Sequence, residues 1–340
     1  MSLPPIISLE EHFFTTPLPP SLLSFYSAQL KSIPSLLQKL TDLSSLNRIP
    51  SMNTNGISLQ IISHAPGLSS FPASYSIQAN NQLSSAIKSF PKKFAGFAVL
   101  PMSDTVSSAL ELERAIKELG LVGALIDSHT AKGKFYDGEE YLGFWEKVQE
   151  LDVPVYLHPT WSSLSTQTLY KGNFSSGAEK SLASSGFGWH FETGLSFLRL
   201  FASGLFDRFP RLKIILGHFG EMIPFMLQRI CSLSKRWGEF ERGFKTVWDE
   251  NVWISTSGCW SVDPLRCILS GKGNTRIEKV LFGVDYPFQG NEEGIEFLKE
   301  LRESGILDEE GFRGICFGNV ERMLGRKLLV ERRMLGKGKL

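Results

Sequence analysis

Glu10 and His12 stand two residues apart at the end of an apolar run that contains Ile6, Ile7 and Leu9. The run reads as a short buried strand, preceded by Pro4 and Pro5 and followed by a loop rich in Thr and Pro. Side chains alternate across a strand, so residues two apart share a face, roughly 7 Å apart along the chain. A carboxylate and an imidazole on one face at a strand end make half of a metal site. Taken alone, the stretch reads first as a surface Glu-Glu-His turn, but three later stretches reverse that. His158 ends the apolar run 153–158, His218 ends 212–218 and Asp285 ends 279–285. A single histidine at a strand end is more often a hydrogen-bonded structural residue. Five metal-competent or proton-transferring residues closing four such runs point instead to one divalent-metal site. Mixed nitrogen and oxygen ligation suits zinc, manganese or a similar ion and does not choose among them.

These residues can meet only if their strands are neighbours running the same way. Eight apolar runs are present: 6–13, 57–63, 94–100, 121–127, 153–158, 212–218, 252–258 and 279–285. Helical patterns separate nearly all of them, over 74–90, 105–119, 140–151, 190–207, 224–244 and 263–270, and further helices near 291–304 and 308–324 end the fold. Strands alternating with helices imply a parallel sheet. Eight units in 340 residues predict an α/β fold, a (β/α)8 TIM-like barrel with insertions. It is read as one domain over residues 1–325, followed by a basic C-terminal tail at 326–340. In such a barrel the active site lies at the C-terminal ends of the strands, where Glu10, His12, His158, His218 and Asp285 fall. An open doubly wound sheet is the competitor, but no Gly-x-Gly-x-x-Gly follows the first strand. Residues 17–50, rich in Ser, Pro and Leu, read as an irregular or short-helical insertion, and 162–186 as a long mobile loop.

Composition narrows the setting. The formal charge is +1, which gives no hint of a nucleic-acid partner. Four cysteines lie far apart with no Cys-x-x-Cys spacing, which argues for a reducing compartment and against a disulfide framework or zinc knuckle. No stretch approaches about 18 uninterrupted apolar residues, so no membrane span is expected. The start of the chain lacks a basic segment followed by an apolar one, so no secretory signal is expected. The expectation is a soluble, cytoplasmic protein.

The same residues carry a resemblance. Glu10-x-His12, Tyr156-Leu-His-Pro159, Leu216-Gly-His-Phe-Gly-Glu221 and Gly283-Val-Asp-Tyr-Pro-Phe288 resemble the amidohydrolase-2 branch of the metal-dependent amidohydrolase superfamily. More narrowly they are similar to o-hydroxybenzoate decarboxylases acting on 2,6-dihydroxybenzoate (γ-resorcylate), 2,3-dihydroxybenzoate, 5-carboxyvanillate or salicylate. The likeness covers about residues 6–325 and includes Gly188-Trp-His-Phe-Glu-Thr-Gly194, Phe206-Asp-Arg-Phe-Pro210 and Phe317-Gly-Asn-Val-Glu-Arg322. It implies that Glu10, His12, His158 and Asp285 are the metal ligands and that His218 assists substrate binding or proton transfer. It also implies that Glu221 is the carboxylate beside that histidine. Arg229 matches an arginine that meets the substrate side of the site, in some relatives across a subunit boundary; read by itself it is a surface ion-pair residue. The fourth strand ends in Asp127 and Ser128 and offers no lysine for a second metal, so one ion is implied. Asn53, Asp127 and Gln289 depart from the usual family residues, and none touches the ligand set.

Aromatics cluster after strand ends and in rim loops: Phe13, Phe14, Trp161, Trp189, Trp260, Tyr286 and Phe288. Such residues can wall a flat pocket for an aryl ring, while some serve plain packing. Phe13, Trp161, Trp189, Arg229, Tyr286 and Phe288 are the substrate-binding candidates. His64 and His129 read equally as rim or turn residues, and His190 as a structural hydrogen-bonding residue. The expected activity is nonoxidative decarboxylation of a small aromatic carboxylic acid, an o-hydroxybenzoate, to a phenol and CO2. Its cofactor is one divalent ion (Zn2+ or Mn2+, or Mg2+) with no organic cofactor, and its catalytic residues are Asp285 as proton donor, His218 and Glu221. The alternative is hydrolysis of a lactone, ester or amide by a metal-bound water; hydrolytic relatives more often carry His-x-His where this chain has Glu10-x-His12. A non-catalytic barrel would need a broken ligand set. The mixed apolar and basic stretch 224–244 and the loop 162–186 predict a homodimer or homotetramer with contacts near the site mouth.

Overall fold

All eight apolar runs become parallel strands in the computed structural model, which describes residues 3–44, 46–269 and 274–329. They are β1 (Ile7–Phe13), β2 (Leu59–His64), β3 (Phe94–Gly96, resumed at Ala98–Val99), β4 (Ala124–Asp127), β5 (Pro154–His158), β6 (Lys213–Leu216), β7 (Val252–Ser255) and β8 (Val280–Leu281). β3 serves two neighbours with its two halves: Phe94–Gly96 pairs with β2, and Ala98–Val99 pairs with β4. Each later strand pairs with the next as far as β8. The ring closes where Leu9 bridges to Gly283 and its N–H donates to the Phe282 carbonyl at 3.1 Å. The result is a closed (β/α)8 barrel.

Strand alternation divides the core into two layers. Ile7, Leu9, Leu59, Ile61, Ala95, Phe97, Leu125, Tyr156, Ile215 and Leu281 fill the barrel interior. Ile6, Phe13, Ile62, Phe94, Leu157, Ile214 and Val280 face outward into the larger layer under the helices. Packing the two layers leaves only the strand C-terminal ends to carry polar side chains inward, which is why the chemistry collects there.

Several segments differ from the sequence expectation. The stretch 224–244 is not one helix: Ile223–Leu233 ends in a turn at Ser234–Arg236, and a new helix runs Phe244–Asn251. Gly238 and Gly243 lie in the break, and Gly243 is extended immediately before the second helix. The helix expected over 190–207 starts earlier and divides at Gly204, whose φ of 75° ends Gly188–Ala202 before Leu205–Arg208. The loop 162–186 holds a 3-10 turn at Gln167–Tyr170 and a helix at Ser176–Leu182, capped by Ser175 Oγ accepting from the Ala178 N–H at 3.2 Å. The insertion contains helices Pro20–Phe25, Ser27–Ser32, Leu36–Leu40 and Arg48–Thr54, with Leu22, Tyr26, Leu36 and Leu40 buried against the barrel rim. Leu328 is buried in the interior layer, so packed chain continues past 325; the remainder of the expected basic tail, 330–340, lies outside the described residues. Among the described residues no helix is long and apolar enough to cross a membrane.

Candidate active site

Ile7 and Leu9 point into the barrel, so strict alternation would send Glu10 and His12 outward. A bulge reverses the phase. Leu9 pairs with Ile61 and Glu11 with Ile62, leaving Glu10 as the extra residue at a φ of 68°. Bulges re-aim side chains in this way, and a left-handed glutamate is uncommon enough to mark a functional constraint. Beyond the bulge Glu11 faces out and His12 faces in. Glu10 is fully buried. Its Oε2 accepts from the hydroxyls of Tyr156 and Ser257, and from Ser255 Oγ at 3.2 Å. Three donors on one oxygen leave the other, Oε1, as the free face of the carboxylate.

Glu11 does a different job on the outer face. Its carboxylate accepts the Val284 N–H at 3.2 Å and the Tyr286 N–H at 3.1 Å, one on each side of Asp285. Asp285 is held between them with a φ of 71°. Burial pushes the Glu11 carboxyl up to about 8. β8 itself ends at Leu281, so Asp285 does not stand on the strand as the sequence pattern suggested but in this clamped turn beyond it.

His158 ends β5 and fixes its ring by Nδ1 against the Pro159 carbonyl at 2.7 Å, with Nε2 turned toward Glu10. His218 follows β6 in a run of left-handed residues that includes Phe219 and Glu221. Its Nδ1 lies 2.8 Å from Glu221 Oε1, and His190 Nδ1 lies 2.8 Å from Glu221 Oε2. Glu221 thus orients two imidazoles at once. Gly217 makes this approach possible: a Cβ there would sit 2.8 Å from the Tyr156 hydroxyl and 3.2 Å from carboxylate oxygens of both Glu10 and Glu221.

The four expected ligands converge. One donor atom from each of Glu10, His12, His158 and Asp285 lies within 4.8 Å of the others. His158 Nε2 is 3.1 Å from Glu10 Oε1, and His12 Nε2 is 3.2 Å from Asp285 Oδ1. Atoms each about 2.0–2.2 Å from a shared ion sit about 3 Å apart, as these do. Glu10 Oε1 and both ring nitrogens of His12 are buried and have no hydrogen-bond partner. Buried polar atoms are seldom left unpaired, so this donor set fits a divalent cation. Burial, reinforced by neighbouring His158, pushes His12 well below the usual imidazole range, which suits a neutral ligand. Burial alone would raise Glu10, yet His218, His158 and His12 together hold it low. Burial and the Glu10 charge raise Asp285 well above the usual carboxylate range. Burial lowers His218, but Glu221 and Glu10 outweigh it and bring it to about 10.

Above this point lies a cavity of about 180 Å3 whose lining includes His158, His218, Asp285, Trp189, Phe288, Tyr26, Gln29, Ile33, Pro66 and Gln289. A cavity of roughly 150 Å3 accommodates benzene, so the space suits one substituted ring. Trp189 and Phe288 line it as the sequence suggested. Trp161 stands behind them, edge-on to Trp189 and Tyr26. Phe13 and Tyr286 are not in the lining. Phe13 faces outward and packs edge-on to His64, because it is one residue past the inward His12. Tyr286 packs under the Arg48 guanidinium, 4.9 Å away. Arg229 is exposed on the helix Ile223–Leu233, outside the lining. His64 is buried at the end of β2, and His129 Nε2 pairs with Glu192 at 2.9 Å. Sequence reading missed Tyr26, Gln29 and Ile33, which come from the insertion, and the clamp made by Glu11. It placed His190 as a hydrogen-bonding residue without identifying Glu221 as the partner.

Comparison with known proteins adds to this geometry. Residues 72–326 match the family model described as Amidohydrolase. The decarboxylase orsB of Emericella nidulans is 47% identical over 329 residues, covering 94% of this chain and 97% of that one. A γ-resorcylate decarboxylase of Polaromonas sp. is 35% identical over 335 residues, covering 93% and 97%. A solved dihydroxybenzoic acid decarboxylase from Polaromonas sp., with bound manganese and the inhibitor 2-nitroresorcinol, superposes with a TM-score of 0.83 at 31% identity, covering 95% and 97%.

Proposed function

The chain belongs to the amidohydrolase family, and from that premise we propose that it is a metal-dependent, nonoxidative carboxy-lyase acting on an o-hydroxybenzoate. One observation carries the reading: four converging donor residues, two of which (Glu10 and His12) carry buried, unpaired atoms, lie at the base of a ring-sized cavity lined by His158 and Asp285. Glu10, His12, His158 and Asp285 would hold one divalent ion, and the manganese bound in the Polaromonas decarboxylase supports Mn2+ over zinc or magnesium. When bound, the ion supplies a positive charge and Lewis acidity beside the substrate's oxygens. No organic cofactor is required. The named relatives are decarboxylases, which favours this reading over hydrolysis.

The chain's own groups divide the remaining work. Asp285 is the carboxyl that reaches the cavity: its side chain is 18% exposed, whereas Glu10 is fully enclosed. Asp285 therefore delivers the proton to the ring carbon that bears the carboxylate. The electrons of the breaking C–C bond restore aromaticity, CO2 leaves, and solvent returns a proton to Asp285. His218, oriented by Glu221, presents Nε2 toward the same space and holds the substrate's anionic end. Trp189 and Phe288 confine the ring, and closing out water strengthens each polar contact.

The assembly proposed is a homodimer, or a homotetramer built from it. Phe187, Phe191 and Leu195 form an exposed apolar stripe at four-residue spacing, and Met222, Phe225 and Met226 are exposed on the neighbouring segment. A contact here would also bring a second subunit near Arg229. Wide cysteine spacing supports a cytoplasmic setting. The deciding experiment incubates the metal-loaded protein with a panel of hydroxybenzoates and follows loss of acid and release of CO2. No CO2 from any of them, with full metal occupancy, removes the proposal. Light scattering showing only a 38.0 kDa species removes the assembly.

A further inference from the structure

The helix Gly188–Ala202 gives Trp189 to the cavity and His190 to Glu221; three residues past Trp189 it buries Glu192. Glu192 Oε1 accepts from Ser162 Oγ at 2.6 Å and from the Tyr170 hydroxyl at 2.8 Å. Its Oε2 lies 2.9 Å from His129 Nε2. The other ring nitrogen of His129, Nδ1, lies 2.8 Å from the Thr130 carbonyl oxygen. A carboxylate and a carbonyl only accept, so both nitrogens of His129 carry protons, and the two buried side chains form an imidazolium–carboxylate pair. Burial lowers His129, but its bonds to Glu192 and to the Thr130 carbonyl outweigh it and raise it. Burial would raise Glu192, yet the bonds from His129, Ser162 and Tyr170 hold it low.

These bonds gather the segment 162–186. Ser162 is its first residue, Tyr170 ends its 3-10 turn, and Ser162 Oγ also lies 3.1 Å from the Ala183 carbonyl near its far end. There the Ser185 carbonyl lies 3.2 Å from His190 Nε2. Ser185 and Trp189 line the cavity, and Trp161, one residue before the segment, packs edge-on to Trp189 with ring centroids 5.5 Å apart. We propose that Glu192 is a positioning residue: it pins the segment 162–186 against the helix Gly188–Ala202 and His129, and so holds Ser185 and Trp189 in the wall that closes on the substrate. This rests on the reading of the cavity as the substrate site. The helix has its own anchor to the barrel, where Ser196 Oγ donates to the Ser128 carbonyl at 2.7 Å, so loss of Glu192 frees the segment rather than the helix. Ser163 Oγ, by contrast, bonds inside the segment, to Ser165 Oγ at 2.8 Å and Thr166 Oγ1 at 3.2 Å. A freed segment spends time in open states with an incomplete wall. Apparent affinity then falls with the closed fraction, whereas the bound complex is closed and turns over as before.

The test compares the full-length, metal-loaded natural chain with Glu192→Ala and Glu192→Gln, using the hydroxybenzoate that the natural chain turns over fastest. Glutamine keeps the shape: its Oε1 still accepts from Ser162 and Tyr170, and its amide N–H donates to a His129 that has given up the Nε2 proton. Glu192→Ala is expected to raise KM roughly 10-fold or more with kcat within about threefold, and Glu192→Gln to bring KM back to within about threefold of the natural chain. Without substrate, trypsin should cut after Lys171 or Lys180, both exposed in the segment, roughly 10-fold or more faster in Glu192→Ala than in the other two proteins. A role in stability alone gives the opposite split, a fall in kcat from lost active protein at unchanged KM. That split, or cleavage of Glu192→Ala at the natural rate, overturns the inference. If Glu192→Ala does not fold, the double variant Ser162→Ala with Tyr170→Phe takes its place under the same criteria, since it removes both segment donors and leaves the ion pair. If cleavage follows the stated order while no hydroxybenzoate loses CO2, the latch stands and the carboxy-lyase reading falls.

Discussion

The floor and the wall of the cavity are built differently. The floor is supplied by strand ends and the turns just past them. It includes left-handed Glu10, His218 and Asp285, buries Glu10 and His12, and leaves Glu10 Oε1 and both His12 ring nitrogens without a hydrogen-bond partner. The wall is supplied by an insertion, a rim turn and the Trp189 helix. Strained strand ends fix positions for chemistry, whereas the shape and lining of the wall fix what can be bound. Substitutions in the floor should therefore abolish turnover, and those in the wall should retune affinity.

The largest effect is expected from the donors themselves. Exhaustive chelation should take decarboxylation to background, and Mn2+ should restore it; His158→Ala should do the same permanently, with metal content by atomic absorption falling alongside. Activity that persists in metal-free protein would erase the distinction between floor and wall. Asp285→Asn comes next: kcat should fall by about 10²–10⁴-fold, more than its metal loss explains. In deuterated solvent the natural chain should place deuterium at the carbon that lost CO2. Near-normal turnover of Asp285→Asn at full occupancy would move the donor's role to another group.

Glu11→Ala tests whether the floor depends on its outer clamp. Loss of the two N–H acceptors around Asp285 should lower activity or metal affinity by roughly 10–100-fold, as partners behind metal ligands do. An unchanged metal affinity together with unchanged kcat would show that the turn holds its shape without the clamp. The smallest effect belongs to the wall. Ile33→Ala should raise KM by less than about 10-fold and leave kcat close to that of the natural chain, the pattern of lost uniform binding. A large fall in kcat from Ile33→Ala would mean that the wall shapes the chemistry as well.

The floor was legible in the sequence to the extent that an apolar run ending in His or Asp announces a strand and its tip together. His158 is found this way because β5 runs regularly up to it. The bulge at Glu10 was not, since one extra residue leaves no mark in an apolar run of this length. Phe13 adjoins the site in sequence, yet alternation from His12 sends it outward; the parity of the strand outweighs adjacency. Tyr286 failed differently, because the ring is drawn under Arg48, a residue distant in sequence. Gln29 and Ile33 were invisible because the direction of a side chain on a one- or two-turn helix depends on how that helix is set against the rim. Arg229 carries no signal within one chain, being exposed on a helix surface.

The Glu11 clamp joins the first strand to the turn after the last, and the donor set likewise draws on positions 10 and 285. During synthesis, then, Glu10, His12 and His158 are all made well before their fourth companion leaves the ribosome. The barrel seam at Leu9 and Gly283 spans the same two parts of the chain. A chain stopped short of that turn has most of the mass of the enzyme but neither a closed barrel nor a complete coordination shell. On the proposed ligation, tight ion binding reports that the message was read through to its final strand.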